Sequence, residues 1–252
     1  MSERSLKFQQ RQHNRYWWHR TPNSNYIPIT YSFLDEDEWL LLQSWFEDTE
    51  RRYPNTGEAN VPPLSLLIGF ISGNAINRIV QCGHYVGYST LLLGFLLRKM
   101  GQKNALFSID IDDRVTRYTK GWVTEAGLEE QVRLCVADSA DRGGPARAAE
   151  YFGGLPPQLV FIDSSHQYEH TLKELELWYS VLPIGGLLIL HDTSQFAAAF
   201  DATGKGGVFR AVSEWCAVQG KTGLMLNSFV TGGSPGDFPY RDGCGLSIIQ
   251  KN

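Results

Sequence analysis

The 252-residue sequence lacks an apolar run long enough to cross a bilayer, a stripe of lysine and arginine, and any closely spaced pair of cysteines. Because no membrane span and no apolar signal-peptide core are present, we expect a cytoplasmic protein without a membrane partner. The net charge of −4 and the scattered basic residues argue against a nucleic acid partner. The four cysteines lie far apart, which argues against a zinc site or a disulfide framework.

From Arg78 onward, short β-branched segments alternate with helical segments of about 10 to 15 residues. The strand segments read RIV, ALFSID, VRLCVAD, QLVFID and GGLLILHD. Such alternation is typical of βαβ units, so the sequence predicts a Rossmann-like, doubly wound α/β fold, with a mostly parallel sheet and helices on both faces. With 42% apolar residues, the chain can bury the core that this fold requires.

A less regular region precedes this pattern. We expect residues 1–75 to form a helical or irregular lid segment and residues 76–252 to form the α/β domain. Asp35 or Asp37 is expected to cap an amphipathic helix. Its apolar side carries Trp39, Leu40, Leu41, Trp45 and Phe46. The segment is expected to cover the substrate or to join copies in a homo-oligomer, since exposed aromatic side chains suit both roles. These exposed aromatics are taken to include Trp17, Trp18 and Trp45.

The last four predicted strands each end in an aspartate. These residues are Asp110, Asp138, Asp163 and Asp192. Ligands of parallel α/β sheets bind at the carboxyl ends of the strands, so the four side chains are expected to lie near one another. Clustered carboxylates indicate recognition of a hydroxyl, an amine or a cation, although Asp138 and Asp163 could instead cap the following helices.

The first strand leads into the loop QCGHYVGYS. Gly83 and Gly87 permit close approach of backbone and ligand, and Ser89 begins a helix whose free N–H groups face that ligand. A dinucleotide fingerprint would read G-x-G-x-x-G, and Tyr85 would crowd a pyrophosphate, so NAD is disfavoured. A ligand with a ribose but no pyrophosphate fits better, and Asp110 lies where a ribose-binding carboxylate is expected.

Five motifs in order resemble the class I S-adenosylmethionine-dependent methyltransferases, especially the small O-methyltransferases similar to catechol and caffeoyl-coenzyme A O-methyltransferases. The motifs are G-x-Y-x-G-Y-S from Gly83, I-D-I-D from Ile109, A-D-S from Ala137, F-I-D-S-S-H-x-Y from Phe161, and L-P-x-G-G-L-L-I-L-H-D-T from Leu182. The last two look most like a bacterial branch of sugar and natural-product methyltransferases that includes cephalosporin hydroxylase-like proteins. The resemblance implies methyl transfer from S-adenosylmethionine to a hydroxyl of a small molecule, such as a natural product, sugar or phenol.

The resemblance also implies which residues bind the cofactor. Those around its methionine part would be Gly83, Tyr85, Gly87 and Ser89. The remaining contacts would be Asp110 at the ribose, Asp138 and Ser139 at the adenine, and Asp163. The family usually has glutamate at position 81, where this chain has Gln81, whose amide can form hydrogen bonds but supplies no negative charge. The ring of His84, inside the loop, is expected to cover the ligand.

A divalent cation is implied by the metal-dependent relatives, in which aspartates at the ends of the fourth and fifth strands bind it. The corresponding residues here are Asp163 and Asp192, followed by Thr193, which is a poorer oxygen ligand than asparagine. His191 offers a nitrogen ligand instead. Mg²⁺ or another divalent cation at this place would lower the pKa of the substrate hydroxyl.

His166 lies where the catechol enzymes have a lysine near the acceptor hydroxyl. An imidazole that titrates near neutrality suits proton removal, so His166 is the candidate base, with Asp163 beside it in the catalytic group. The alternative is that His166 only forms a hydrogen bond with a neighbouring loop. His170, one helical turn further on, is expected to be a solvated surface residue.

The Gly-rich stretch after Asp192 is expected to lead into a helix at Val208 to Trp215. Together with the N-terminal segment it would cover the substrate or form a dimer contact. Three hypotheses follow from the sequence. The first is an O-methyltransferase, the second is a protein of this fold with cephalosporin hydroxylase-like or no methyl-transfer activity, and the third is a nucleotide-dependent oxidoreductase.

Overall fold

The structure is a computed structural model that describes residues 28–54, 59–232 and 238–252. Its strands are β1 (Ile79–Cys82), β2 (Leu106–Asp110), β3 (Val132–Val136), β4 (Leu159–Ile162), β5 (Leu187–His191), β6 (Gly223–Leu226) and β7 (Leu246–Gln250). They form one sheet in the order β3-β2-β1-β4-β5-β7-β6. Strands β1 to β5 are parallel, whereas β7 is antiparallel to β5 and β6. The predicted Rossmann-like, mostly parallel sheet is therefore confirmed.

Seven α-helices occur in the described ranges. They are α1 (Glu36–Arg52), α2 (Val61–Gly73), α3 (Tyr88–Lys99), α4 (Asp113–Glu125), α5 (Gly144–Tyr151), α6 (Tyr168–Val181) and α7 (Gly207–Gln219). The helix predicted at Val208 to Trp215 is thus confirmed as part of α7. None of the helices in these ranges has the length and apolar content that crossing a membrane requires.

Apolar side chains cover both faces of the sheet. Every residue of β1 and β4 is buried, as expected for central parallel strands that carry helices on both sides. One core includes the side chains of Trp45, Leu64, Leu91 and Phe161. The other includes those of Val80, Leu175, Trp178 and Val212. The two cores confirm the doubly wound arrangement.

The antiparallel part of the sheet was not predicted. Strand β6 consists of the four residues GLML, which lack the β-branched pattern that identified the other strands. Strand β7 inserts between β5 and β6 and pairs His191 with Leu246. Because β7 runs opposite to β5, the residues that precede β7 lie beside the carboxyl end of β5.

Helix α1 begins with a capping box at Asp35, one of the two predicted caps. The Asp35 side chain accepts a hydrogen bond from the Glu38 N–H, and the Glu38 side chain accepts one from the Asp35 N–H. The expectation that Trp45 is exposed was wrong, because its side chain is completely buried. Leu40 is instead the exposed member of the predicted apolar side, and Trp17 and Trp18 lie outside the described residues.

Trp45 links α1 to the loop between β1 and α3. Its indole Nε1–H donates a hydrogen bond of 2.7 Å to the Val86 carbonyl, and its ring stacks on Tyr88 at 5.4 Å. Helices α1 and α2 contribute side chains to the same core as α3. The division at residues 75 and 76 stays a prediction, but α1 supports the glycine loop from behind.

We expect Trp45→Phe to lower the free energy of unfolding by about 1 to 3 kcal/mol, because the buried Val86 carbonyl loses its donor. Chemical denaturation measures this change. As a control, Leu40→Ala on the exposed side of the same helix should change stability by no more than about 0.5 kcal/mol. Equal stability of Trp45→Phe and the unchanged protein would contradict a structural role for the hydrogen bond.

Candidate active site

A cavity of about 440 Å³ opens at the carboxyl ends of β1 to β4. Its wall is formed by the glycine loop after β1, by the turns after β2, β3 and β4, and by the start of α6, with Ala59 from the segment before α2. The sheet order places β1 beside β4, where the direction of winding reverses. This reversal point is where parallel α/β sheets bind their ligands.

The glycine loop passes too close to its neighbours to carry side chains at two positions. Gly83 has a φ of 87°, and a Cβ atom there would lie 1.9 Å from the backbone oxygen of Asp163. Gly87 has a φ of 97°, and its Cβ would lie 2.8 Å from Thr119 Cγ2. Tyr85 also has a positive φ, 41°, but its side chain points outward and is 47% exposed. Gly83, Tyr85 and Gly87 all line the cavity.

Asp110 fixes the tip of this loop. Its Oδ2 accepts hydrogen bonds from the N–H groups of Tyr85 (2.9 Å) and His84 (3.2 Å), and its Oδ1 accepts one from the Asp112 N–H (2.9 Å). The carboxylate lies in the cavity wall at the end of β2. The carboxylate therefore lies at the predicted edge of the sheet, and it also holds the glycine loop in shape. Its contact with a ribose stays a prediction.

The ring of His84 does not cover the cavity as predicted. His84 is buried, with Nδ1 3.0 Å from Ser108 Oγ and Nε2 2.9 Å from Thr116 Oγ1. Burial lowers the pKa of His84 to about 4, against the opposing charge of Asp110. The neutral ring is therefore an internal support under the loop.

Gln81 lies beneath the cavity rather than in its wall. Its Nε2 donates to Ser89 Oγ (2.6 Å), and its Oε1 accepts hydrogen bonds from Thr90 Oγ1 (2.9 Å) and Ser108 Oγ (3.1 Å). Ser89 does line the cavity. Gln81 was predicted to contact the cofactor, but its side chain instead connects β1 to the first turn of α3.

Asp138 and Ser139 form the opposite wall of the cavity. Neither Asp138 nor Asp163 caps a helix, since the N-caps of α5 and α6 are Gly143 and Gln167.

The prediction that His170 is a solvated surface residue was wrong. Its ring lines the cavity, and its Nε2 lies 2.9 Å from Asp138 Oδ1.

The turns after β4 and β5 bring Asp163, His166 and Asp192 together. His166 Nε2 lies 3.0 Å from Asp192 Oδ2 and 4.0 Å from Asp163 Oδ1. His166 and Asp192 have positive φ angles of 58° and 60°, a strained conformation that clusters at functional sites. Burial lowers the pKa of His166, but the hydrogen bond and charge of Asp192 and the charge of Asp163 raise it above the ordinary value.

His191 lies behind this group, buried among three carboxylates. Its Nδ1 is 3.4 Å from Asp163 Oδ1 and 3.6 Å from Asp192 Oδ1, and its Nε2 is 3.2 Å from Asp242 Oδ2. Burial opposes the charge of the ring, but Asp192, Asp242 and Asp163 raise the pKa of His191 well above the ordinary value. Asp242 comes from the segment before β7, which sequence reasoning did not include in the sheet.

Two groups of metal-ligating side chains occur among the described residues. Asp163, His166 and Asp192 each offer a ligand atom within 4.8 Å of the others, and so do His191, Asp192 and Cys244. The predicted ligands Asp163, His191 and Asp192 are thus divided between the two groups. His166 Nε2 and His191 Nδ1 both lie beside the two carboxylates.

Sequence reasoning missed Glu174 as well as the role of His170. Glu174 is completely buried on α6 and accepts hydrogen bonds from Ser139 Oγ (2.5 Å) and Ser164 Oγ (2.8 Å). The spacing of His170 and Glu174 was the available signal, because residues four apart share one face of a helix. The segment HTLKEL also fits an ordinary exposed helix, so the spacing alone does not identify the pair.

Residues 80–193 match the model of a family described as a methyltransferase domain. The O-methyltransferase from Bacillus cereus in complex with SAH has a TM-score of 0.63 at 15% identity, with 88% of this chain and 95% of that chain covered. TomG from Streptomyces achromogenes, an O-methyltransferase involved in tomaymycin synthesis and solved with SAM, has a TM-score of 0.61 at 17% identity, with 87% and 91% covered. The SAH-bound methyltransferase PaMTH1 from Podospora anserina has a TM-score of 0.58 at 14% identity, with 84% and 88% covered.

At these identities the structural likeness shows the fold, and the family match covers the segment that holds the candidate site. The matched residues run from within β1 to just past β5, and they include the glycine loop and all four strand-end aspartates. The resemblance predicted from the five motifs is therefore confirmed as a similarity: residues 80–193 are similar to a methyltransferase domain, and the fold is that of solved O-methyltransferases.

Proposed function

We propose that the protein transfers the methyl group of S-adenosylmethionine to a hydroxyl group of a small acceptor molecule. The observation that carries this proposal is the convergence of His166, Asp192 and Asp163 beside the cavity that the glycine loop and Asp110 enclose. Methyl transfer is an in-line displacement that needs an acceptor oxygen, a group to take its proton and a fixed methyl donor. The cavity and the groups beside it would supply all three.

The cofactor would lie along the carboxyl ends of β1 to β3. The glycine loop and Ser89 would surround its methionine part, Asp110 would accept hydrogen bonds from the ribose hydroxyls, and Asp138 with Ser139 would flank the adenine. The bound SAM or SAH of the structural neighbours supports this choice of ligand. The Gln81 amide, bonded to Ser89, Thr90 and Ser108, would support the same pocket without a negative charge.

His166 would act as the base. With Asp192 accepting a hydrogen bond from Nε2–H, the neutral ring carries its lone pair on Nδ1, which has no hydrogen-bond partner among the described residues. Nδ1 would take the proton of the acceptor hydroxyl, and Asp192 would stabilise the resulting imidazolium. This is the arrangement of a base oriented by a neighbouring carboxylate.

A divalent cation fits the donor set beside this base. Asp163 and Asp192 would supply carboxylate oxygens, while His166 keeps its Nε2–H on Asp192 and its Nδ1 for the acceptor proton. Carboxylates suit Mg²⁺ and Mn²⁺. A cation held there would lower the pKa of the acceptor hydroxyl.

The acceptor would carry an aromatic ring. Four aromatic side chains in the described part of the chain are large, apolar and exposed: Tyr85, Phe196, Phe200 and Phe229. The Phe200 ring lies 5.8 Å from the His166 ring and 5.6 Å from the Phe196 ring. Exposed aromatic surface next to a polar reacting group is typical of a binding site for a flat apolar ligand. Among the natural products, sugars and phenols first considered, this surface favours a phenolic acceptor.

Calorimetry with S-adenosylhomocysteine and with NADH tests the cofactor assignment. Binding of the first and not of the second is expected, and the absence of S-adenosylhomocysteine binding would overturn the proposal. Protein incubated with labelled S-adenosylmethionine and a set of phenols, sugars and a metabolite extract then identifies the acceptor by mass spectrometry. Cofactor binding without labelled product from any of these mixtures would favour the hydroxylase-like alternative.

Asp110→Ala is expected to weaken S-adenosylhomocysteine binding by about 2 to 4 kcal/mol, because charge-assisted hydrogen bonds to two ribose hydroxyls are lost. Loss of the contacts to the loop backbone would act in the same direction. The control is Asp113→Ala, three residues further on, which removes an exposed carboxylate paired with Arg117. Calorimetry on both variants compares the affinities, and unchanged affinity in Asp110→Ala would place the ribose elsewhere.

A further inference from the structure

His170 and Glu174 form a pair on the first turns of α6, at the wall of the cavity. His170 Nδ1 lies 3.2 Å from Glu174 Oε2, and His170 Nε2 lies 2.9 Å from Asp138 Oδ1. The Glu174 carboxylate raises the pKa of His170 to about 9 against the effect of burial, and Asp138 adds to the rise. The ring is therefore charged at neutral pH, with Nε2–H donating to Asp138 and Nδ1 forming an ion pair with Glu174.

Glu174 anchors this pair inside the protein. Its side chain is completely buried and accepts hydrogen bonds from Ser139 Oγ in the turn after β3 and from Ser164 Oγ in the turn after β4. In the same turn, the Ser139 carbonyl accepts a 2.9 Å hydrogen bond from Trp178 Nε1. A buried carboxylate with several donors is a rigid point, so His170 is held at a fixed distance from the sheet.

Asp138 is the exposed member of the group. Its side chain is 49% exposed, yet both of its hydrogen bonds use one oxygen, Oδ1, which accepts from the Ala140 N–H (2.8 Å) and from His170 Nε2. Its second oxygen, Oδ2, has no hydrogen-bond partner among the described residues. The carboxylate therefore presents one oxygen ready to accept a hydrogen bond, in a residue that lines the cavity.

We propose that His170, anchored by Glu174, is a positioning residue that sets the Asp138 carboxylate to accept a hydrogen bond from the adenine amino group. The inference rests on the proposed function, since it requires the adenine of S-adenosylmethionine to lie at Asp138. It adds that recognition of adenine over other bases depends on a histidine on α6. Without His170, the exposed Asp138 side chain could rotate and bind water instead, and the protein would discriminate less between adenine and other bases.

The test compares S-adenosylhomocysteine with S-inosylhomocysteine, in which an oxygen replaces the amino group. A charge-assisted hydrogen bond to that group predicts a preference of about tenfold or more for the adenine ligand in the unchanged protein. In His170→Phe, which keeps a ring without N–H donors, the preference should fall to less than about threefold. His170→Leu, which also lacks N–H donors, is the second variant in case the phenylalanine disturbs folding, and circular dichroism checks both.

A double variant separates positioning from a general structural effect. If His170 acts through Asp138, Asp138→Ala combined with His170→Phe should bind S-adenosylhomocysteine no more weakly than Asp138→Ala alone. The matched control is Glu169→Gln in the first turn of α6, which changes an exposed contact with Lys205. This variant should keep the full preference for S-adenosylhomocysteine over S-inosylhomocysteine.

Each outcome decides the question. An unchanged preference in folded His170→Phe or His170→Leu overturns the proposal, and so do additive losses in the double variant. A lack of preference in the unchanged protein also overturns it, because Asp138 would then not contact the amino group. If the unchanged protein binds neither ligand, the proposed function fails as well, which calorimetry with S-adenosylhomocysteine alone reveals.

Discussion

Gly83→Ala is expected to abolish S-adenosylhomocysteine binding and to lower the free energy of unfolding by roughly 4 kcal/mol or more. The new Cβ would lie 1.9 Å from the Asp163 backbone oxygen, so either the glycine loop or the turn after β4 must move. A residue with a side chain also pays about 1 to 2 kcal/mol for the left-handed conformation itself. Because Asp163 belongs to the candidate catalytic group, the displacement would disturb both the glycine loop and the group around His166.

Gly101 provides the matched control. It also has a positive φ, 69°, but a Cβ there would meet no atom within 4 Å. Gly101→Ala should therefore cost only about 1 to 2 kcal/mol of conformational strain and leave ligand affinity unchanged. Calorimetry and chemical denaturation on both variants make the comparison. Similar losses in the two variants would show that the contact with Asp163 is not what requires glycine at position 83.

His166→Ala is expected to lower the rate of methyl transfer by about 10² to 10⁴, with little change in cofactor affinity. The ring would remove the acceptor proton at Nδ1, and alanine has nothing to replace it. Chelation should also abolish transfer if Asp163 and Asp192 hold a cation that activates the hydroxyl. Rates are measured with labelled S-adenosylmethionine and the acceptor identified as described above.

The pH dependence separates a base from a merely structural ring. Since only the unprotonated ring can accept a proton, and the carboxylates raise the pKa of His166, the rate should rise with pH through a midpoint above about 6.5. His166→Ala should lose this rise. Gln167→Ala, at the neighbouring position, should keep both the rate and its pH dependence. Full activity in chelated protein and in His166→Ala would leave only proximity and orientation as the source of catalysis.

The parallel half of the sheet could be predicted because its signals are local. Each of β1 to β5 is a short apolar segment followed by a polar turn, and chain direction alone places the turns at one edge. The same argument placed Asp110, Asp138 and Asp163 in the wall of one cavity. It also brought Asp163 and Asp192 near each other, although the partner that each side chain selects was not readable.

The missed features depend on contacts between distant parts of the chain. Trp45 reads as an exposed aromatic until α1 packs behind the glycine loop, and Asp242 has no motif until β7 inserts beside β5. The predicted positions of the His84 and His170 rings were the reverse of the observed ones. The ring inside the loop turned inward to Ser108 and Thr116, and the ring expected on the surface faces the cavity. Side-chain direction within a turn depends on backbone angles that a motif does not specify.

The antiparallel insertion of β7 has a consequence for the order in which the protein matures during synthesis. A chain that emerges from the ribosome N-terminus first presents His191 and Asp192 long before Asp242 and Cys244 are made. Until β7 pairs with β5, His191 lacks its Asp242 partner, and the charged cluster has one open side. The candidate site would therefore gain its Asp242 contact only after the segment before β7 has been made.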